Sequence, residues 1–328
     1  MAHEPSVGTD GSGVAIGVDL GGTKMAVGVV ADGPRVLHRS EVPSLGLTSG
    51  ELLDALEAQL RVALEACPEA SGIGLGIPCT IDRERGIAIS AVNLPIVDVP
   101  IRDLIATRLG LPVFVDNDGN VAAFAEHLWG AAKSVRNSVL LTIGTGIGGG
   151  LILDGDVYRG STGAGAELGH IVVDSDGPRC QGNCPNFGCV EAVASGTALG
   201  REAREAAESH PDSALGKLLA AGETVDGRAA TVAAHAGDEV ARDVVALIGR
   251  RIGVALSGIA NVFEPDLIVL GGGVMAAGDL LLIPARDEMR ARALPPMNET
   301  DVVPAELGPA AGMLGAAGMA LAELAGSA

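Results

Sequence analysis

Apolar residues in this chain come in two patterns: short solid runs that stop at glycines, and longer runs spaced three and four apart. Val14-Ala-Ile-Gly-Val-Asp19 is a solid run that ends in Leu20-Gly21-Gly22-Thr23-Lys24, and Met25-Ala-Val-Gly-Val-Val30 answers it at once. Strand, glycine turn, strand predicts a β-hairpin. Ser138-Val-Leu-Leu-Thr-Ile143, the glycine-rich Gly144-Thr145-Gly146-Ile147-Gly148-Gly149-Gly150 and Leu151-Ile-Leu repeat the arrangement. An internal duplication is therefore expected, with one hairpin in each of two domains and a ligand between them. Between the hairpins, helical spacing runs over Glu51 to Ala66 and Pro100 to Leu109. Solid runs at Gly72 to Ile77 and Leu111 to Val115 read as buried strands. The second stops at Asp116-Asn117-Asp118, ahead of a helix from Asn120 to Leu128. Farther on, Ala-rich spacing predicts helices from about Ala198 to Ala221 and from Glu239 to Val262. A strand, Leu267 to Leu270, feeds Gly271-Gly272-Gly273, and Ala310 to Ala325 is a last helix. Strands alternating with helices predict an α/β fold. No low-complexity linker interrupts the pattern, which places the passage between domains near residues 120–130.

The chain has 328 residues, room for two ordinary domains or one large one. Its 48% apolar residues include only 2% aromatics, against 48 glycines, so the core must be built from Ala, Val, Leu and Ile at close backbone approach. Lys and Arg number 22 against 41 Asp and Glu, a net charge of -19. That charge argues against nucleic-acid and anionic-membrane partners, and leaves backbone N–H groups and metal ions as the means of holding phosphates. The first ten residues carry neither a basic segment nor an apolar one, no apolar run reaches membrane-spanning length, and the expectation is a cytoplasmic protein.

Cys180, Cys184 and Cys189 lie within twenty residues of His170, and three cysteines with a histidine suit one tetrahedral zinc. A disulfide, Cys180–Cys189 or Cys184–Cys189, is the alternative. Glu167 and Glu191 bracket the set, and a purely structural zinc does not need them. Asp19-Leu-Gly-Gly-Thr-Lys24 offers backbone N–H groups, a hydroxyl and a cation to phosphate oxygens, with Asp19 placed for a hydrated Mg2+. Read alone it is equally an ordinary hairpin turn; Gly144-Thr145-Gly146 repeats its logic. Gly271 to Gly273 suit close approach of a nucleoside or tight helix–strand packing. At Asp116-Asn117-Asp118-Gly-Asn120, a carboxylate at a strand end can take a proton from a hydroxyl, or one of these residues caps the following helix.

Taken in order, Asp19 to Lys24, Asn93-Leu-Pro, Asn117-Asp118-Gly-Asn120, Gly144-Thr145-Gly146-Ile147-Gly148-Gly149, Gly165-Ala-Glu167-Leu-Gly-His170, Gly188-Cys189-Val-Glu191 and Gly271 to Gly273 resemble the ROK family of sugar kinases and related repressors. The resemblance covers nearly the whole chain after the first dozen residues and is nearest to bacterial ATP-dependent glucokinases. It implies an actin-like, ribonuclease-H-like duplicated fold with a ligand cleft between two domains. A small domain would hold residues 1–121 and the C-terminal helix 310–328, and a large one residues 122–309 with the zinc. It implies transfer of the γ-phosphoryl group of MgATP to the 6-hydroxyl of glucose, with Asp118 as general base. Asn93, Asn117, Asp118, Glu167, His170 and Glu191 would bind the sugar. Asp19, Gly21, Gly22, Thr23, Lys24, Thr145 and Gly146 would serve the phosphates and Mg2+, and Gly271, Gly272 and Gly273 the nucleoside. His170, Cys180, Cys184 and Cys189 would hold a structural Zn2+, and a homodimer or homotetramer is the family expectation.

The chain departs from the family pattern twice. Three residues separate Cys180 from Cys184 where the family has one, and Pro185 stands for a glycine. Ile96-Val97 and Pro78-Cys79 replace Gly-Trp and Pro-Gly beside the expected sugar pocket, which leaves N-acetylglucosamine, N-acetylmannosamine or another hexose as alternative acceptors and polyphosphate as an alternative donor. A sugar-responsive repressor and a non-catalytic sugar-binding module are the readings from other classes.

Overall fold

The computed structural model describes residues 13–31, 33–91 and 94–326, and divides the chain into two compact units. The first holds Met1–Arg136, Gly150–Ala166 and Glu306–Ala328; the second holds Asn137–Gly149 and Glu167–Ala305.

The first unit opens with β1 (Val14–Leu20), β2 (Lys24–Ala31) and β3 (Arg35–Pro43), followed by α1 (Ser49–Ala66) and β4 (Ile73–Ile77). A small antiparallel sheet of β5 (Cys79–Asp82), β6 (Ile87–Ala91) and β7 (Val97–Val99) precedes α2 (Ile101–Leu109), β8 (Val113–Asn117) and α3 (Asp118–Trp129). The main sheet runs β3-β2-β1-β4-β8; β1 and β2 are antiparallel, while β4 lies parallel to β1 and β8 parallel to β4.

The second unit is built around β9 (Ser138–Ile143) and the start of β10 (Ile147–Leu153), whose remainder returns to the first unit to pair with β11 (Asp156–Val157). It continues through α4 (Val190–Ala194), α5 (Gly196–Ser209), α6 (Ala214–Ala220), α7 (Gly227–His235) and α8 (Glu239–Phe263). It ends with β12 (Leu267–Gly271), α9 (Asp279–Arg292) and β13 (Asp301–Pro304). Its sheet places β9 between β10 and β12, with β12 parallel to both β9 and β13. Each unit thus has a hairpin whose first strand is extended by two parallel strands, which is the duplication expected from the sequence.

The last helix, α10 (Ala311–Gly326), belongs to the first unit and explains the glycine-rich, aromatic-poor core. A Cβ at Gly17 of β1 would stand 1.9 Å from the Met313 carbonyl oxygen, and one at Gly74 of β4 would stand 1.8 Å from that of Ala316. A Cβ at Gly315 would meet the Val121 carbonyl of α3 at 1.7 Å. Backbone rests directly on backbone here, and no side chain larger than hydrogen fits. Close packing on α10 also keeps all of α3 in the first unit, so the chain passes to the second unit after Arg136, not near residues 120–130. Gly150–Ala166, expected in the large domain, returns to the first unit for the same reason: a Cβ at Gly150 would lie 2.6 Å from the Gly119 carbonyl of α3. In the second unit, Gly249 and Gly253 let α8 rest on α9, where a Cβ would stand 2.4 and 2.5 Å from the Leu281 and Ala285 carbonyl oxygens.

Local signals account for several boundaries. Thr48 and Glu51 form a capping box that starts α1 two residues before the expected Glu51. The helix expected over 198–221 is two helices, because Pro211 follows the end of α5 and Ser213 caps α6 through Gly216 N–H. Among the described residues no helix is long and apolar enough to cross a membrane.

Candidate functional site

The first hairpin tip is braced from outside. Gly21 N–H donates to the Lys24 carbonyl at 3.0 Å, and the buried Ser44 donates its hydroxyl to the Gly21 carbonyl at 2.6 Å and its N–H to that of Thr23 at 3.0 Å. Gly21 to Thr23 are therefore held in one shape before any ligand arrives. The Lys24 ammonium lies 3.0 Å from Glu41, whose carboxyl it holds below the usual range. Asp19, at the end of β1, has its carboxyl raised above the ordinary value by burial, with Lys24 opposing and Glu41 adding. Gly312 in the first turn of α10 makes room for that carboxyl: a Cβ there would stand 2.7 Å from Asp19 Cγ.

At the end of β8 the three polar residues divide the work. Asp116 is 2% exposed. Its Oδ1 accepts from Asn117 N–H at 2.8 Å and from Asn120 Nδ2 at 2.9 Å, and its Oδ2 accepts from Arg159 Nε at 2.6 Å. Arg83 Nε stands 3.9 Å away and its guanidinium also pairs with Glu323 of α10. Asn117 is the N-cap of α3: its Oδ1 accepts from Gly119 N–H at 2.8 Å, while its Nδ2 donates to the Cys79 carbonyl at 3.3 Å. Asp118 is the first helical residue, half-buried, with Oδ1 2.9 Å from Gly119 N. The cap and the candidate base are thus adjacent residues, and both side chains lie within hydrogen-bond distance of the same Gly119 N–H. Cys79 lies beside them, and burial together with the Asp118 charge pushes its thiol up to about 12.

In the second unit, Gly144 N–H closes the other hairpin tip onto the Gly146 carbonyl at 2.9 Å. Gly196 N–H donates to the Gly144 carbonyl at 2.7 Å and Thr197 Oγ1 to that of Thr145 at 2.8 Å, tying the tip to the start of α5. Glu191 Oε2 accepts from Ile147 N–H at 2.8 Å and occupies the space where a Cβ on Gly146 would stand, 2.2 Å away. A cavity of about 1130 Å³ opens beside the tip, lined by Gly144, Thr145, Thr197, Arg228, His235 and Gly273 among others. Gly273 is the member of the glycine triplet that faces this cavity. Gly272, at φ 89°, lies against the backbone of Ile143, and Gly271 packs as the buried end of β12.

The Cys3His cluster assembles in the same unit. Donor atoms of His170, Cys180, Cys184 and Cys189 all lie within 4.8 Å of one another, and all five cysteines of the chain are free thiols. Zinc–sulfur bonds of about 2.3 Å at a tetrahedral angle place two sulfurs about 3.8 Å apart, and a sulfur and an imidazole nitrogen about 3.6 Å apart. Cys184 and Cys189 are 3.9 Å apart at Sγ, and Cys180 Sγ is 3.5 Å from His170 Nδ1. The donor set therefore fits zinc, and the longer spacing does not keep Cys180 out of it. Burial, and after it the neighbouring sulfurs, push the Cys180 thiol up. Burial also raises Cys189, with Cys184 adding and Cys180 opposing. A divalent cation reverses that preference by binding thiolates. Glu167, three residues before His170, is an exposed residue, yet the protein around it displaces enough water to raise its carboxyl, with His170 opposing and Glu191 adding.

The profile of the ROK family matches residues 15–323. The chain belongs to the ROK family. It is 38% identical over 315 residues to a glucokinase of Streptomyces coelicolor, covering 94% of this chain and 98% of that protein. It is 37% identical over 304 residues to a glucokinase of Thermotoga maritima, covering 92% and 95%. A crystal structure of a ROK family glucokinase from Streptomyces griseus in complex with glucose and AMPPNP matches with a TM-score of 0.83 at 36% identity, over 94% of this chain and 99% of that one. The actin-like duplicated α/β fold expected of the family is the fold of this chain.

Within this ROK protein, Asn93 lies outside the described residues. Sequence reading passed over Ser44, Arg159, Gln181 and Ser195, which hold the hairpin tips and the end of β8 in place. A hydroxyl 23 residues from its glycine partner, or an arginine 43 residues from its aspartate, leaves no local signal.

Proposed function

We propose that this chain is an ATP-dependent glucokinase that transfers the γ-phosphoryl group of MgATP to the 6-hydroxyl of glucose. The observation that carries the reading is similarity over more than nine-tenths of the chain to proteins named glucokinase, one of them crystallised with glucose and an ATP analogue. Asp118 takes the proton from the 6-hydroxyl. Its backbone is held for that task by the Asn117 cap and, behind it, by Asp116 with Arg159. Asn117, Glu167, His170 and Glu191 orient the sugar, each with hydrogen-bonding capacity left over from the contacts described above. His170 points one ring nitrogen to the metal cluster, which leaves the other for a hydroxyl. Asn93 is assigned to the sugar by resemblance alone.

Gly21, Gly22, Thr23, Thr145 and Gly146 offer backbone and hydroxyl groups to the phosphates, Lys24 is drawn to them from Glu41, and Asp19 holds the hydrated Mg2+. The 1130 Å³ cavity beside Thr145 and Gly273 receives the nucleoside. Zinc held by His170, Cys180, Cys184 and Cys189 supplies structure, not chemistry. Catalysis then rests on alignment and charge neutralisation, with proton removal late.

Initial rates over a panel of hexoses with ATP or polyphosphate, with the product identified by 31P NMR, test the reading. Glucose 6-phosphate formed fastest from ATP and glucose supports it; a faster N-acetylhexosamine, or polyphosphate preferred as donor, replaces it.

A further inference from the structure

A side chain inside the metal loop reaches the second hairpin. Gln181 stands between Cys180 and Cys184, and its Nε2 lies 3.1 Å from Ser195 Oγ and 3.4 Å from the Thr145 carbonyl oxygen. Ser195 is 0% exposed and caps α5, with Oγ accepting from Ala198 N–H at 3.3 Å. The Thr145 carbonyl thus receives two donors: Thr197 from the first turn of α5, and Gln181 from the metal loop. The backbone of Gln181 is itself part of the ligand turn, because its carbonyl accepts from Cys184 N–H at 3.4 Å. Whatever fixes Cys180 and Cys184 therefore fixes Gln181, and with it one side of the hairpin tip.

We propose that Gln181 is a positioning residue for nucleotide binding, transmitting the order of the metal loop to the Gly144–Gly146 tip through Ser195 and the Thr145 carbonyl. This rests on the reading of that tip as a phosphate-binding element. The metal then serves both ends of the reaction: through His170 it orients the sugar side, and through Gln181 it shapes the donor side. Gln181 touches no reacting atom. Its effect appears in nucleotide affinity and tip mobility, while sugar affinity stays where it was.

Gln181→Met keeps the length of the side chain and removes both donated hydrogen bonds. With zinc loaded, and its content verified by mass spectrometry at the wild-type stoichiometry, AMPPNP affinity measured calorimetrically is expected to fall about five-fold, the weight of one net hydrogen bond. Glucose affinity should not change, and amide hydrogen exchange at residues 144–147 should rise. Chelating the metal from the wild-type protein should raise exchange at the same amides, and chelating it from Gln181→Met should add little. AMPPNP affinity unchanged in the zinc-loaded variant overturns the proposal, as does an equal loss of glucose affinity, which would mark a general structural defect. If the wild-type chain binds no AMPPNP, the phosphate reading of the tip fails, while hydrogen exchange in the zinc-loaded variant still decides whether Gln181 orders it. Should chelation unfold the protein, the zinc-loaded comparison decides alone.

Discussion

Asp116→Asn removes one charge from the place where the end of β8 is fastened, and its cost can be worked from the contacts. The carboxylate is buried and accepts from Asn117 N–H, Asn120 Nδ2 and Arg159 Nε, with Arg83 just beyond. An asparagine turns one acceptor into a donor, so either the Arg159 side or the Asn117–Asn120 side is left facing a like group. Removing one partner of a fully buried ion pair costs about 3–5 kcal/mol. Arg159 and Arg83 are 23% and 34% exposed at the side chain, so water recovers part of that, and the expected loss is about 2–3 kcal/mol. For a unit of this size that lowers Tm by roughly 5–10 °C, measured by circular dichroism with urea titration as a cross-check. Asp118 follows directly on the disturbed backbone, so kcat should fall on the order of 10-fold at saturating substrates. Arg159→Gln should cost a similar amount, and the double variant should lose about 1–3 kcal/mol less than the sum of the two. A Tm within about 1 °C of wild type, or strict additivity of the pair, would refute the assignment of Asp116 and Arg159 as one coupled unit.

Asp19→Asn should stabilise the ligand-free protein at pH 7 while stopping turnover, because it deletes a carboxylate whose charged form burial disfavours. Since its folded-state pKa is raised, the stability linked to Asp19 is fully present below about pH 3.9 and is lost as pH rises through the folded value. The gain of the variant should therefore vanish in thermal melts at low pH and grow toward neutrality. Glu126 is buried at the end of α3, and its carboxylate accepts from Ala131, Glu306 and Leu307 N–H at 2.9, 3.2 and 2.9 Å. Glu126→Gln must strand at least one of these and should cost about 2–3 kcal/mol by urea denaturation. Cys189→Ala should release the bound metal, detectable by mass spectrometry of the purified protein, and weaken glucose binding through His170; metal retained at full stoichiometry contradicts the ligand assignment.

The parts of the fold legible in the sequence were those with a local cause. The two hairpins announced themselves through solid apolar strands meeting glycines, and α8 and β12 through unbroken periodicity. β3 escaped notice because it is mostly exposed and its residues show neither a solid apolar run nor an apolar–polar alternation. α9 was missed because Pro284 and a charged surface interrupt its helical spacing. The short strands β5, β6 and β7 carry too few residues for a period to show. In the site, Cys180 was legible as a donor by type but not by spacing, and only the folded loop shows that two extra residues still deliver its sulfur. Which of Asn117 and Asp118 caps α3 was open in the sequence because either residue type can cap a helix; Asn117 is the cap because it lies outside the first turn with its carboxamide turned back to Gly119. Asp116 with Arg159 and the Ser44 brace join residues distant in the chain, which no pattern along it can reveal.

The measurement that bears most directly on the proposed mechanism is Asp118→Asn in a coupled assay with ATP and glucose, alongside calorimetric glucose titration of the same preparation. The mechanism predicts kcat lower by about 10²–10⁴-fold with glucose affinity close to wild type. An Asp118→Asn variant that retains more than about one-tenth of wild-type kcat would contradict the assignment of Asp118 as general base.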